Sequence, residues 1–116
     1  MKYMLLIYGD EEKMRAIPKE DANKMLPAYF AYTEALKKAG ILVAGDRLHF
    51  TSDATTVRIR DGKTNVVNGP YAEAKEQLAG YYLIDVPDID SALSWASRCP
   101  GASSGTVEVR PVWTMQ

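Results

Sequence analysis

The run Asn68–Val86, NGPYAEAKEQLAGYYLIDV, decides the reading of the chain. It opens on a stiff turn, Asn68-Gly69-Pro70, in which glycine permits backbone angles closed to other residues and proline fixes its own. A charged segment follows with Glu73, Lys75 and Glu76. Gly80 then announces the most apolar strand-like run of the second half, Tyr81 to Val86. A turn, a charged stretch and a buried strand therefore meet within nineteen residues.

Tyr3 to Tyr8 has the same character as that strand. Tyr3, Leu5 and Ile7 point one way and Met4, Leu6 and Tyr8 the other, so both faces are apolar and both need cover. Gly9 to Lys19 is charged, carries Pro18 and reads as a loop or a frayed helix entry. From Glu20 to Ala39 the apolar period is helical, through Ala22, Met25, Tyr29, Thr33 and Leu36. Lys37, Lys38 and Gly40 suit its C-terminus, and Pro27 predicts a kink. Ile41 to Gly45 is a short strand, and Asp46 to Ala54 reads as a polar loop.

Thr55 to Arg60 and Lys63 to Val67 flank Asp61-Gly62, a strong hairpin signal, with Val57 and Ile59 expected to face inward. On the other side of the organising run, Asp88 or Asp90 caps a helix from Ile89 to Arg98. Its expected buried stripe is Ile89, Ala92, Leu93 and Ala96, with Trp95 beside it. Pro100-Gly101 stops it, Ala102 to Gly105 is a loop, and Thr106 to Val112 is the last strand. Pro111 cannot donate to a ladder, which places that strand at a sheet edge.

The order is that of one α+β domain, residues 1–116: a ferredoxin-like βαββαβ plate with an extra β-hairpin and both helices on one face. Two helices leave the other face open. Either the hairpin folds over it or a second copy packs against it. A two-stranded lid is small for a whole sheet face, so a homodimer through the helix-free sheet face is expected.

Composition bounds the partners. Hydrophobic residues at 47 % and charged residues at 25 % are ordinary for a globular domain, and the net charge of −1 offers no basic surface for nucleic acid or an anionic membrane. The apolar N-terminal run is too short to span a bilayer and has no signal-peptide cleavage site. The single Cys99 cannot form an internal disulfide, which suits a cytoplasmic location.

The run from Asn68 to Gln77, followed by Gly80-Tyr81-Tyr82-Leu83-Ile84, resembles the DGPF motif of the YCII-related proteins. The opening Met1 to Tyr8, Ala92 to Ala96 with Cys99-Pro100, and Val107 to Pro111 are similar to that family as well. The motif's Asp is Asn68 here and its Phe is Tyr71. Asn68 keeps a turn-forming side chain without the charge, which suits a backbone-capping role. The resemblance implies a dimeric α/β barrel. It also implies relatives of two kinds: lyase-like enzymes with a His–Asp pair, which has no match here, and partners of extracytoplasmic-function sigma factors.

The candidate catalytic residues are Glu73, Lys75 and Glu108. Glu73 and Glu76, flanking Lys75 after a fixed turn, can tune one another as acid and base, or can be a solvated charged segment. The candidate ligand-binding residues are Arg110, Tyr81 and His49. Arg110 can grip a carboxylate in a bidentate fork with Glu108 as its resting partner, or the two can form a structural ion pair. His49, the single histidine, is a general-base candidate or a solvated loop residue. No metal-ligand set, phosphate loop or dinucleotide fingerprint is present, so neither metal nor cofactor is expected. Two readings follow: a dimer with a small-organic-ligand pocket and proton-transfer chemistry of a lyase or isomerase type, or a non-catalytic ligand-binding or regulatory module.

Overall fold

The computed structural model describes residues 1–114. In chain order the elements are β1 (Lys2–Gly9), α1 (Glu11–Ala16), α2 (Lys19–Lys38), β2 (Leu42–Arg47), β3 (Thr55–Arg60), β4 (Lys63–Asn68), β5 (Gln77–Asp85), α3 (Ile89–Ser97), α4 (Gly101–Ser104) and β6 (Thr106–Pro111). A single turn of 3-10 helix, Thr51–Asp53, lies between β2 and β3. Four strands form an antiparallel sheet in the order β2-β5-β1-β6, the order of a ferredoxin-like plate. β6 is an edge strand that ends at Pro111, so both positions that suit this proline, an edge and a strand end, hold, and among the described residues it pairs only with β1.

Local chemistry explains most of the elements. Asp10 caps α1 by accepting a bond from the Lys13 amide at 3.2 Å. Of the two readings of 9–19, a loop or a frayed helix entry, the loop is corrected, because a good cap starts a short helix before Pro18 opens the next one. α2 runs through Pro27 and ends in a Schellman motif. There the Gly40 amide donates to Lys37 O and the Ile41 amide to Leu36 O, with Gly40 at φ +71°. Asp88 caps α3 by accepting from the Ser91 amide at 2.8 Å, which lowers the Asp88 pKa.

β1 alternates as its sequence demands. Tyr3, Leu5 and Ile7 are buried under the helices, with Tyr32 and Leu36 of α2, Ile84 and Val86 of the β5 segment, and Ala92, Ala96 and Cys99 around them. The Tyr32 hydroxyl donates to Trp95 O at 2.7 Å and ties α2 to α3. Met4, Leu6 and Tyr8 face the helix-free side and stay half-buried.

Several expectations are corrected. β5 begins at Gln77, so Gly80 lies inside the strand. A Cβ there would sit 2.8 Å from Asp46 O, so glycine is what lets β2 approach. β2 extends to Arg47 and carries Asp46 into the sheet, where a polar loop had been expected. Ile89 and Leu93 are exposed, leaving Ala92 and Ala96 as the buried stripe of α3. The loop expected over 102–105 is mostly the one-turn α4.

The hairpin forms with its predicted turn, Asp61 at φ 52° and Gly62 at φ 75°, as a type I′ turn needs. Yet Val57 and Ile59 do not face inward: they are exposed, so the hairpin does not cover the open sheet face. Asn68 ends β4 opposite Thr55. The base of the hairpin is closed by Gly69, not by the Asn68 side chain. The Gly69 amide donates to Ala54 O and its carbonyl accepts from Thr56 Oγ1.

Leu36 is fully buried. Leu36→Ala is expected to cost about 2–5 kcal/mol, read as a lower urea midpoint with an unchanged slope. The Tyr29 and Tyr32 phenols have pKa values raised from the ordinary 10.0, first by burial and then by Cys99 and Tyr82. A raised folded pKa gives stability that is complete below the unfolded value and declines as pH climbs from it toward the folded value. Stability should therefore fall above about pH 10. In a spectrophotometric phenolate titration, these two tyrosines should ionise only as the fold is lost.

Candidate functional site

The register places one row of side chains straight across the helix-free face. Asp46 stands opposite Tyr81, Tyr81 opposite Leu6, and Leu6 opposite Glu108. The next row is Ala44, Leu83, Met4 and Arg110. The middle of the face is thus apolar, with a polar pair at each edge. At one edge the Tyr81 hydroxyl donates to Asp46 Oδ2 at 2.8 Å. That hydrogen bond, and then the Asp46 charge, raise the Tyr81 pKa and keep the phenol protonated. At the other edge Arg110 Nη2 donates to Glu108 Oε1 at 3.0 Å, with the two side chains 66 % and 42 % exposed. An ion pair so wet adds little to stability, which leaves the guanidinium available to a ligand. Three strand spacings, about 14 Å, separate the two edges.

Three of the sequence-predicted residues, Tyr81, Glu108 and Arg110, therefore share one surface. Glu73 and Lys75 do not join them. The segment after Gly69 is an irregular exposed loop at the end of the sheet where Gly9 meets Gln77. Lys75 lines an open concavity of about 440 Å³ there, with Asp10, Lys13, Glu76 and Ser104. The charged residue of this loop that reaches the open face is Glu76, whose Oε1 accepts from Thr106 Oγ1 at 2.7 Å. Thr106 lies two residues before Glu108 on the same face of β6.

His49 stands apart as well. Its side chain is 90 % exposed, with Nδ1 3.3 Å from Asp53 Oδ2. It lines a second open concavity, of about 310 Å³, with Glu11, Met14, Arg47, Leu48, Phe50 and Ala79. Glu11 is buried there, and both its carboxylate oxygens are used by Thr51: Oε1 accepts from the amide at 2.8 Å and Oε2 from the hydroxyl at 2.7 Å. Its own amide donates to Gln77 Oε1. So satisfied a carboxylate staples α1 to the Thr51 turn, and the Glu11 amide ties it to β5. Arg15 strengthens the staple by stacking over Phe50 at 4.6 Å.

Sequence reasoning missed Asp46 and Glu11 as contributors, and weighed Glu76 with Glu73 and Lys75 without carrying it into the site. Asp46 depends on the β2–β5 register, a pairing between residues 35 positions apart. Nothing local distinguishes Glu11 from the exposed Glu12 beside it. Among the described residues, no three His, Cys, Asp or Glu side chains converge as a metal site would need. No helix among them is long and apolar enough to cross a membrane.

Comparison with known proteins agrees with the motif. The family model described as the YCII-related domain matches residues 1–116. An uncharacterized protein of Rhizobium meliloti (strain 1021) is 40 % identical over 114 residues, covering 97 % of this chain and 92 % of the relative. The plate, the motif loop leading into β5 and this match across the whole chain together show that the chain belongs to the family of YCII-related domain proteins.

Proposed function

We propose that two copies pack through their helix-free sheet faces into a dimeric α/β barrel, and that the enclosed face binds a small, elongated organic acid. The observation that carries this reading is the row Asp46–Tyr81–Leu6–Glu108, with Arg110 beside it on an uncovered, half-apolar surface. Arg110 takes the ligand carboxylate in a bidentate fork, releasing Glu108 from its resting contact. Leu6, Met4 and Leu83 contact the ligand's apolar body. The Asp46–Tyr81 pair meets a polar group at its far end. Enclosure by a second copy would remove water and strengthen each of these contacts.

The chemistry that suits these groups is proton transfer of a lyase or isomerase type. Asp46 and Glu108 are the carboxylates placed on the face to accept a proton, and Tyr81 is a phenol held in its donor form. Glu73 and Lys75 remain candidates only through the loop that also brings Glu76 to Thr106.

A second reading has its own support. Tyr81 and Arg110 already hold acidic partners, and Glu73 and Lys75 stand off the face. That arrangement favours a binding or regulatory module over turnover. An association with an extracytoplasmic-function sigma factor belongs to this reading and rests on the family resemblance.

The test is a thermal-shift panel of small carboxylic and phenolic metabolites. A ligand at about 100 times its Kd stabilises by about 2.7 kcal/mol, on the order of 10 °C for a domain of this size. That shift should vanish in Arg110→Ala, whose exposed side chain leaves the fold intact. An unchanged shift removes Arg110 from the site. For a ligand that binds, exchange of its C–H protons in heavy water indicates proton transfer, and no exchange favours the binding module.

A further inference from the structure

We infer that the β3–β4 hairpin is an arm that packs its apolar face on a second copy of this chain. The inference rests on the dimer reading above and goes beyond it. Opposed residues of an antiparallel ribbon share a face, so the register puts Val57 with Val66, and Ile59 with Thr64, on one side. Val57, Ile59 and Val66 are 59 %, 63 % and 62 % exposed. The opposite side carries Thr56, Val67, Arg58, Asn65, Arg60 and Lys63, so it is mostly polar with Val67 as its one exposed apolar residue. No residue of either strand is buried, and Thr56 is the one that is half-buried. A two-stranded ribbon standing free is at best marginally stable in water, and one with a bare Val/Ile face has a further reason to be covered.

The shape of the chain says the same. Its radius of gyration is 16.2 Å, against about 13 Å for a compact domain of this length. It spreads over 48 × 47 Å in a slab only 18 Å thick, so the hairpin extends outward instead of folding back.

Area selects the occupant. Four strands with ladders of five to eight pairs present a face of roughly 450 Å² in flat projection. A standard interface buries about 800 Å² on each partner. The sheet face alone therefore falls short of what a standard dimer interface buries. One face of a six-pair hairpin adds roughly 200 Å². In a two-fold dimer each copy gives one arm and receives one, which adds about 400 Å² per copy and reaches the standard size.

Charge agrees. Arg58, Arg60 and Lys63 against Asp61 leave the hairpin at +2, and since the whole chain is −1 the remainder is −3. These cations lie on the side of the arm away from the packed Val/Ile face, so their attraction to the acidic body of a second copy acts at a distance, on the rate of encounter.

The experiment combines hydrogen exchange with sedimentation on the full chain. In wild type, the amides of residues 57–59 and 64–66 should exchange more slowly above the dimer's Kd than after dilution below it. Val57→Lys combined with Val66→Lys, both exposed in the single chain, should weaken self-association on the order of thirtyfold or more. Leu6→Lys, on the sheet face, should dissociate the dimer and also strip protection from the distant hairpin. If wild type self-associates while the double variant associates equally well and the hairpin amides exchange freely, the arm is overturned and the sheet-face dimer stands. If Leu6→Lys leaves self-association and hairpin protection intact, the sheet-face dimer fails and the arm loses its footing with it. A wild type that stays single at every concentration overturns both.

Discussion

The constraint on which this structure depends is that β1 is apolar on both faces while the chain supplies cover for only one. Leu5 and Ile84, on the adjacent central strands β1 and β5, are fully buried in one core with Leu36. Each such side chain contributes about 1.5–3 kcal/mol by leaving water. The helices are held over that face by polar ties, the Tyr32–Trp95 bond and the bond between Thr33 Oγ1 and the Tyr82 hydroxyl at 2.7 Å. Met4, Leu6 and Leu83 on the reverse face have no equivalent layer. The hairpin that could have supplied one extends away.

That asymmetry also locates the chemistry. Polar pairs sit at the two edges of the uncovered face because the central strands are spent on apolar contacts. The outer strands β2 and β6 supply Asp46, Glu108 and Arg110. The close approach of β2 to β5 at Gly80 brings Asp46 within hydrogen-bond reach of Tyr81. Shape and chemistry therefore share one cause: a sheet short of cover presents its own edges as the rim of a cavity that a second copy would close. The buried Glu11 staple fixes the end of the sheet from which the motif loop emerges.

Much of the fold was legible because its signals are local. The alternation of Tyr3 to Tyr8, the Gly40 stop, the Asp61-Gly62 turn, the Asp88 cap and the edge position marked by Pro111 each act within a few residues. What escaped was set at long range. Asp46 reads as loop until β5 pairs with it, and Gln77 to Gly80 read as approach to a strand until β1 and β2 recruit them. The orientation of Val57 and Ile59 was misread because alternation reveals a face but not what stands opposite it. Of the candidate site, Tyr81, Glu108 and Arg110 follow from strand parity. The separation of Glu73, Lys75 and His49 from them follows from loop paths that no spacing rule encodes.

Sedimentation equilibrium of the unmodified chain at micromolar concentration tests this account most directly. It predicts a single species of twice the 12.9 kDa chain mass. A stable species of 12.9 kDa at that concentration would contradict it, because Met4, Leu6 and Leu83 would then face water with no penalty the molecule needs to escape.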